Sequence, residues 1–315
     1  MRILVTGGSG YLGSHLISRL LRNSDEIINL DLEFKVDSFG DERVIQLQGD
    51  IRDFKFIREQ IVEIKPKVIF HLAAKKSVQE SFHNPHEYLE TNASSTWNLA
   101  NLAINNGVEK FVFVSSAAVY GVPIDSRITE DSQTLPNSPY GESKLIAERG
   151  LNCLFEGQDE KLLVIRLFNL FGFDSNLFHR SDLLAGENLQ SYIARSIELR
   201  KNFNVFQSDT ETIDGSNMRD YIHPSDAVEA LVQLLKVSHP HRNIFNLGTG
   251  NALSVLQIIK ATEKARNGTI NFDWRASRVG DPGYSVSNSD QLKSLINWQP
   301  KYSEIDMLVE CFKQL

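Results

Sequence analysis

The first glycine-rich turn of the chain decides the fold that its sequence predicts. Residues 3–13 read Ile-Leu-Val-Thr-Gly-Gly-Ser-Gly-Tyr-Leu-Gly, an apolar strand that runs through a turn directly into the start of a helix. In such a turn Gly7 permits the tight bend and Gly10 lets backbone amides approach a pyrophosphate at the helix N-terminus, while Gly13 lets the helix pack closely on the strand. Strand, turn and helix follow in the required order, so this segment predicts a dinucleotide-binding unit.

Short apolar runs alternate with amphipathic stretches along the first half of the chain. The runs lie at residues 3–5, 27–30, 44–47, 68–70, 111–114 and 162–165, and the helix-like segments lie at 13–22, 56–64, 91–105 and 140–155. Bare apolar runs are typical of strands buried on both faces, and strands that alternate with helices form a parallel sheet through right-handed crossovers. We therefore predict an α/β fold with a doubly wound parallel sheet of the Rossmann type.

The alternation of apolar runs and helix-like segments becomes irregular after Arg166, which indicates a second, smaller lobe. We expect residues 1–165 to form the cofactor-binding domain. Residues 166–315 are expected to form mainly a smaller C-terminal substrate-binding lobe, with some segments returning to the first domain.

Composition excludes several classes of partner. The 315 residues are 41% hydrophobic and carry a net charge of −7, which gives no basic face for nucleic acid. No stretch approaches the roughly 20 apolar residues that span a bilayer, so no membrane association is expected. Cys153 and Cys311 lie far apart and match no metal-ligand spacing, which favours unpaired thiols and a cytoplasmic location.

Two acidic residues follow the predicted strands of the first domain. Asp31 closes the second strand, where an acid binds the adenine ribose, and residues 32–34 contain no arginine for a 2′-phosphate, so NAD is favoured over NADP. Asp50 ends the third strand. It could accept a hydrogen bond from the adenine amino group, or it could cap the helix that follows.

Tyr140 and Lys144 stand four residues apart behind Pro139, which suits the first turn of a helix. A nearby ammonium stabilises a phenolate and lowers the tyrosine pKa, which would create a usable general base. Ser115 and Ser116 end a buried strand at the edge of the sheet where ligands bind, so a serine there could relay a proton. A solvated helix face for the first pair and simple loop capping for the serines are the alternatives.

These motifs together resemble the extended branch of the short-chain dehydrogenase/reductases, and in particular the UDP-glucose (UDP-galactose) 4-epimerases. The resemblance covers nearly the whole chain. It rests on residues 6–13, 49–51, 71–78, 115–121, 140–144, 166–169, 219–223 and 246–250.

Carried over by motif position, the resemblance implies a role for each matching residue. The catalytic set has Tyr140 as general base, Lys144 as its electrostatic partner and Ser116 as proton relay. The NAD set is Gly7, Gly10, Tyr11, Leu12, Gly13, Asp31, Asp50, Ile51, Leu72, Ala73, Lys76, Asn92, Ser115, Tyr140, Lys144 and Phe168. The UDP-sugar set is Lys76, Ser116, Tyr140, Asn169, Asn188, Leu189, Phe206, Arg219, Arg278 and Asp281. Arg219 and Arg278 would bind the diphosphate, Asp281 the nucleotide ribose, and residues 188, 189 and 206 would border uracil.

The reaction implied is inversion at C4 of a UDP-hexose through a transient 4-keto sugar. A sugar-nucleotide 4,6-dehydratase shares the first oxidation, but it uses an Asp-Glu pair where this chain has Ala117 and Ala118. A nucleotide-sugar reductase, a 4-epimerase of another nucleotide sugar and a catalytically silent NAD-binding sensor or scaffold are further alternatives. By the resemblance, Ser285 stands at the position that gates hexose size in the family, and its small side chain predicts room for an N-acetyl group. No metal is expected, His71 and His223 being interpreted as structural, and the resemblance implies a homodimer.

Overall fold

The structure is a computed structural model. It describes residues 1–23, 26–34, 39–125, 127–172, 174, 177–178, 180–237, 243–303, 307 and 312. Cys311 lies outside these residues, whereas Cys153 is an exposed free thiol. Within the part described, we find no helix with the length and apolar character that a membrane span requires.

Strands and helices mostly alternate through residue 167, although no helix is found among the described residues between β2 and β3 and three helices follow β4, and the order is more mixed thereafter. The strands are β1 (Arg2–Thr6), β2 (Glu26–Asp31), β3 (Val44–Gln48), β4 (Val68–His71), β5 (Lys110–Ser116), β6 (Leu162–Leu167), β7 (Asn169–Leu170), β8 (Phe203–Phe206), β9 (Met218–Ile222), β10 (Ile244–Leu247), β11 (Ala252–Ser254), β12 (Phe272–Arg275) and β13 (Tyr284–Ser285). The α-helices are α1 (Tyr11–Leu21), α2 (Phe54–Ile64), α3 (Val78–His83), α4 (Pro85–Leu89), α5 (Ser95–Asn105), α6 (Pro139–Leu154), α7 (Arg180–Ala185), α8 (Leu189–Glu198), α9 (Pro224–Leu234), α10 (Val255–Arg266) and α11 (Asp290–Ile296).

Seven strands form the main sheet in the order β10-β6-β5-β4-β1-β2-β3. The pairs from β3 through β6 are parallel. The chain runs outward from β1 to β3 and then returns to β4 on the other side of β1. Right-handed crossovers therefore place helices on opposite faces, and the switch point lies between β1 and β4. The predicted doubly wound parallel sheet is confirmed.

Apolar side chains of the inner strands make up the centre of this sheet. All four residues of β4 are buried, and Ile3, Leu4 and Val5 of β1 are at most 1% exposed. Strand β3 departs from the prediction that every apolar run is buried on both faces, because Ile45 is 49% exposed. The reason is topological, since β3 is an edge strand that pairs only with β2.

The chain divides into two compact units. The first unit comprises Met1–Gly121, Thr134–Leu167 and Val228–Phe245, and the second comprises Val122–Gln133, Phe168–Ala227 and Asn246–Leu315. The second unit contains a four-stranded sheet, in which β9 pairs with β7, β11 and β13, and the two-stranded pair β8–β12. The assignment of cofactor and substrate to separate domains stays a prediction.

Candidate functional site

The glycine turn of the first unit brings β1 and α1 into close contact. Gly7 has a φ of +73°, in the region that favours glycine, and the extended residue Gly10 occupies the N-cap position of α1. A Cβ atom on Gly13 would lie 2.2 Å from the carbonyl oxygen of Gly7. Because Gly10 has no side chain to cap the first amides of α1, these amides and the positive end of the helix dipole suit an anion such as a pyrophosphate.

Asp31 is held beside this turn by hydrogen bonds to its carboxylate. The backbone amide of Ser9 donates to Oδ2 at 2.9 Å, and the amide of Leu32 donates to Oδ1 at 2.8 Å. Ser9 is itself fixed by the buried side chain of Asn29, whose Nδ2 donates to the serine Oγ at 3.0 Å. The carboxylate is thus oriented at the end of β2, next to the turn, as a ribose-binding acid requires.

Asp50 is engaged by Arg52 and does not cap the following helix. The two side chains form an ion pair of 2.6 Å, which lowers the pKa of Asp50. The N-cap of α2 is Asp53, whose carboxylate accepts from the Phe56 amide at 3.0 Å. The interpretation of Asp50 as a helix cap is therefore wrong, because the helix begins three residues further on.

His71, at the end of β4, is a structural residue in this geometry. Its Nδ1 lies 2.7 Å from Thr6 Oγ1 and its Nε2 lies 2.8 Å from Thr96 Oγ1, so both ring nitrogens are hydrogen-bonded to hydroxyl groups. Burial, together with the charge of Lys144, lowers the pKa of His71 to about 3. The imidazole is consequently neutral at physiological pH.

Asn92 fixes the loop that follows β4. Its Oδ1 accepts from the Lys75 amide at 2.9 Å, and its Nδ2 donates to the Lys75 carbonyl and to Ser143 Oγ, both at 2.9 Å. It lies in a π-helical turn, Glu90–Ser94, which precedes α5. Such turns are rare and frequent at functional sites. The sequence analysis did not anticipate this turn, which here ties the loop with Leu72, Ala73 and the exposed Lys76 to α6.

The predicted catalytic side chains lie where α6 meets the end of β5. Ser138 caps the helix, with Pro139 in its first turn. The side chain of Ser116 hydrogen-bonds Tyr140. Lys144 is 3% exposed, and its Nζ donates to the Val114 carbonyl at 2.9 Å. The structure thus brings Ser116, Tyr140 and Lys144 together at one strand end, and the alternative of a solvated helix face for Lys144 is wrong.

Burial shifts the pKa values of both Tyr140 and Lys144. It raises the pKa of Tyr140, and the hydrogen bond from Ser116 opposes that effect only in part. Burial also lowers the pKa of Lys144 to about 7, although the Glu148 carboxylate acts in the other direction. The expected acidification of the tyrosine is therefore not what the structure shows, because desolvation disfavours the phenolate more strongly than its neighbours stabilise it.

A buried ion pair lies one helical turn beyond Lys144. The Glu148 and Arg166 side chains are 2% and 5% exposed, and their closest nitrogen and oxygen atoms lie 2.7 Å apart. Ser115 Oγ donates to Glu148 Oε1 at 2.5 Å, and Arg166 Nη1 donates to the Tyr120 hydroxyl at 2.9 Å. Sequence reasoning missed Glu148, although its spacing of four residues from Lys144 was a readable signal.

In the second unit, the residues predicted to bind the nucleotide form two contacts. Arg219 makes an ion pair with Asp281, whose Oδ2 also accepts from Asn217 Nδ2 at 3.1 Å. The guanidinium of Arg278 stacks over the Phe206 ring, 3.4 Å from its centroid. Planar guanidinium groups suit bidentate contacts to phosphates.

The remaining predicted substrate residues take part in the local secondary structure. Asn188 is the N-cap of α8, where its Oδ1 accepts from the Ser191 amide at 3.0 Å, and Leu189 is the first residue of that helix. Asn169 lies on β7, and its Nδ2 donates to the Asp220 carbonyl at 3.5 Å. Phe168, from the cofactor set, is buried in this unit.

Asp220 is a further residue that the sequence analysis missed. Its buried carboxylate accepts hydrogen bonds from the backbone amides of Thr249, Gly250 and Ser287, and from the hydroxyls of Thr249 and Ser287. It therefore anchors the loop after β10 to β9. No group of three or more His, Cys, Asp and Glu side chains that could hold a metal ion occurs among the residues that the structure covers.

Comparison with known proteins places this geometry in a family. Residues 3–248 match the NAD dependent epimerase/dehydratase family. UDP-glucose 4-epimerase of Halalkalibacterium halodurans is 33% identical over 315 residues, which cover 98% of this chain and 94% of the relative. The Bacillus subtilis UDP-glucose 4-epimerase is 32% identical over 326 residues and covers 99% and 96%.

Solved structures agree with these relatives. UDP-glucose 4-epimerase from Bifidobacterium longum, in complex with NAD+ and UDP, superimposes with a TM-score of 0.88 at 30% identity and covers 99% of this chain and 97% of its own. The UDP-Glc/GlcNAc 4-epimerase of Campylobacter jejuni has a TM-score of 0.82 at 30% identity, with coverage of 100% and 99%. The resemblance drawn from the motifs is confirmed. The chain belongs to the NAD-dependent epimerase/dehydratase family.

Proposed function

We propose that this chain is an NAD-dependent 4-epimerase of UDP-hexoses, which interconverts UDP-glucose and UDP-galactose. The observation that carries the proposal is the cluster of Ser116, Tyr140 and Lys144 at the end of β5, in the same unit as the glycine turn and Asp31. The relatives and solved structures of UDP-glucose 4-epimerases that match nearly the whole chain support it.

The residues of the first unit fit NAD by their chemistry. The amides at the start of α1 suit a pyrophosphate, and the Asp31 carboxylate suits a ribose with free hydroxyls. When bound, NAD would supply the hydride acceptor for oxidation at C4 of the sugar and, once reduced to NADH, the hydride donor for the return to the opposite face. The proposed cofactor set is the one that the motifs predict, with Asn92 acting through the loop that it fixes.

The proposed proton chemistry belongs to Tyr140. The phenolate form takes the proton of the C4 hydroxyl, directly or through Ser116, and gives it back after the 4-keto ring has turned over. Lys144, as an ammonium, offsets the phenolate charge, which burial otherwise disfavours. We also propose that Lys144 binds the nicotinamide ribose.

The residues that we propose to bind the nucleotide lie in the second unit. Arg219 and Arg278 bind the diphosphate, Asp281 binds the ribose, and Asn188, Leu189 and Phe206 border uracil, with Lys76 and Asn169 also contacting the substrate. The hexose must turn over while the nucleotide stays bound. This requires tight binding of the nucleotide and weak binding of the hexose.

Two features bear on the substrate and on rival reactions. Ser285 is a small buried residue on β13, which supports acceptance of UDP-GlcNAc as well. Ala117 and Ala118 carry no titratable group, which disfavours elimination of water and hence a 4,6-dehydratase. The proposal includes a cytoplasmic location, which the unpaired cysteines favour, and a homodimer, which the family resemblance implies and which light scattering of the purified protein tests.

The direct test is an assay with UDP-galactose. We expect UDP-glucose to form without net production of NADH, whereas a reductase would consume or release reduced cofactor in proportion to product. The variant Tyr140→Phe should lose roughly 100- to 10,000-fold in kcat, as removal of a general base does, and should bind NAD as the wild type does. Unchanged turnover in this variant contradicts the assignment of the base.

A further inference from the structure

Helix α6 faces the end of β5 with three side chains spaced one helical turn apart, namely Tyr140, Lys144 and Glu148. Each of them contacts one of three consecutive strand residues, 114–116. The contact of Glu148 is a hydrogen bond of 2.5 Å from Ser115 Oγ. The Tyr-x-x-x-Lys spacing therefore continues for one more turn, and the third member is a carboxylate.

The carboxylate of Glu148 is paired with a cation on the neighbouring strand. Arg166 on β6 donates from Nη2 to Glu148 Oε2 at 2.7 Å and from Nε to both oxygens at 3.2 Å. Tyr120 completes the arrangement, since its hydroxyl accepts from Arg166 and its ring lies 4.8 Å from the guanidinium carbon. Burial of such a pair costs several kcal/mol per ion, so stability alone does not explain its presence.

We propose that Glu148 is a positioning residue for the proposed epimerisation: held by Arg166 and Ser115, it keeps Lys144 charged and in register with Tyr140 at the end of β5. The inference rests on the proposed function and deepens it. Glu148 touches none of the reacting atoms and acts through Lys144.

The charges around Lys144 explain why the carboxylate matters. The titratable groups near Lys144 are Tyr140 and Glu148 on α6 and His71 on β4, which is neutral. On β6, the Arg166 cation pairs with Glu148. Without the negative charge of Glu148, the Arg166 guanidinium would lose its ion-pair partner and the Lys144 ammonium would lose the carboxylate that favours it. Lys144 would then lose its proton at a lower pH, and the phenolate would lose its counter-ion.

The variant Glu148→Gln tests this role, because a glutamine keeps the size of the side chain and an oxygen that can accept from Ser115. We expect kcat to fall about tenfold near neutral pH with KM for UDP-galactose within about twofold, and the alkaline limb of the kcat profile to move down by about one pH unit. The matched control is Glu142→Gln on the same helix, because we find no hydrogen bond or ion pair between this glutamate and these groups in the described part of the chain, and the profile should stay that of the wild type. A kcat profile for Glu148→Gln that overlays the wild type, or an equal loss in both variants, overturns the proposal.

A second measurement does not depend on epimerase activity. An unfolded lysine keeps its proton up to about pH 10.5, whereas folded Lys144 loses it at about pH 7, so the free energy of unfolding rises with pH between these values. In Glu148→Gln this rise should begin about one pH unit lower, and in Glu142→Gln it should not move. An unchanged onset overturns the positioning role even if the wild type proves inactive on UDP-galactose, an outcome that would end the proposed function separately.

Discussion

The substitution Gly13→Ala should damage the cofactor site through a contact that no side-chain rotation can relieve. The added Cβ would lie 2.2 Å from the Gly7 carbonyl oxygen and 2.6 Å from the Gly8 Cα, whereas ordinary contact begins at 3.4 Å. Both neighbours are backbone atoms, so α1 must retreat from the turn by about 1 Å, at a cost of roughly 1–3 kcal/mol in stability. The amides at the start of α1 move with the helix, and a hydrogen bond stretched by that distance is lost.

We therefore expect NAD to bind at least about tenfold more weakly to Gly13→Ala, a loss of about 1.4 kcal/mol in binding free energy. Titration calorimetry with nucleotide-free protein measures it, and denaturant unfolding reports the stability cost separately. The matched control is Gly268→Ala, since no heavy atom of the described residues lies within 4 Å of a Cβ at that position. If Gly13→Ala binds NAD within twofold of the wild type, the reasoning about the close approach of helix and turn is refuted.

Two further predictions concern buried polar side chains of the first unit. His71 is neutral in the folded chain, with a pKa of about 3, but gains a proton near pH 6.5 when unfolded. The free energy of unfolding should accordingly fall by about 1.4 kcal/mol per pH unit from this residue between pH 6.5 and 3, and acid unfolding of His71→Gln should show a shallower dependence. Asn29→Val removes the bond to Ser9, worth about 1 kcal/mol, but also a buried Oδ1 that has no hydrogen-bond partner within the described residues and costs about 1–3 kcal/mol. We expect this variant to be at least as stable as the wild type in denaturant while binding NAD more weakly in calorimetry, and a loss in stability with unchanged affinity would contradict it.

Local sequence patterns were sufficient to predict the features that depend on residues close together in the sequence. The turn at residues 7–13 is specified by glycines within one strand–helix junction, and a Cβ atom on Gly7 or Gly13 would lie less than 3 Å from a backbone atom. The spacing of Tyr140 and Lys144 is likewise a property of one helix, and α6 begins at the proline that predicts it. Strand order follows from the same alternation, because handed crossovers leave few arrangements of six parallel strands.

Features that depend on the tertiary environment could not be read in this way. Asp50 and Asp53 are both acids near the start of α2, and the structure shows that the helix begins directly after the second, which caps it, whereas the first pairs with Arg52. Strand β3 is partly exposed because it lies at the edge of the sheet. Its apolar sequence does not reveal that position. Arg166 was noticed as part of a motif, but its partner Glu148 lies 18 residues earlier and meets it only because β6 pairs with β5 beneath α6.

The opposite pKa shifts of Tyr140 and Lys144 have one physical cause. Burial disfavours any net charge, so it keeps the phenol protonated and lowers the pKa of the ammonium. A lone phenolate or a lone ammonium is therefore costly at this strand end, whereas the two charges together offset each other. When two neighbouring groups are coupled, they titrate as a pair, and a proton moves between them more cheaply than it leaves them both. On this reasoning, the Glu148 carboxylate matters because it biases the shared proton towards Lys144, the state in which Tyr140 can act as a base.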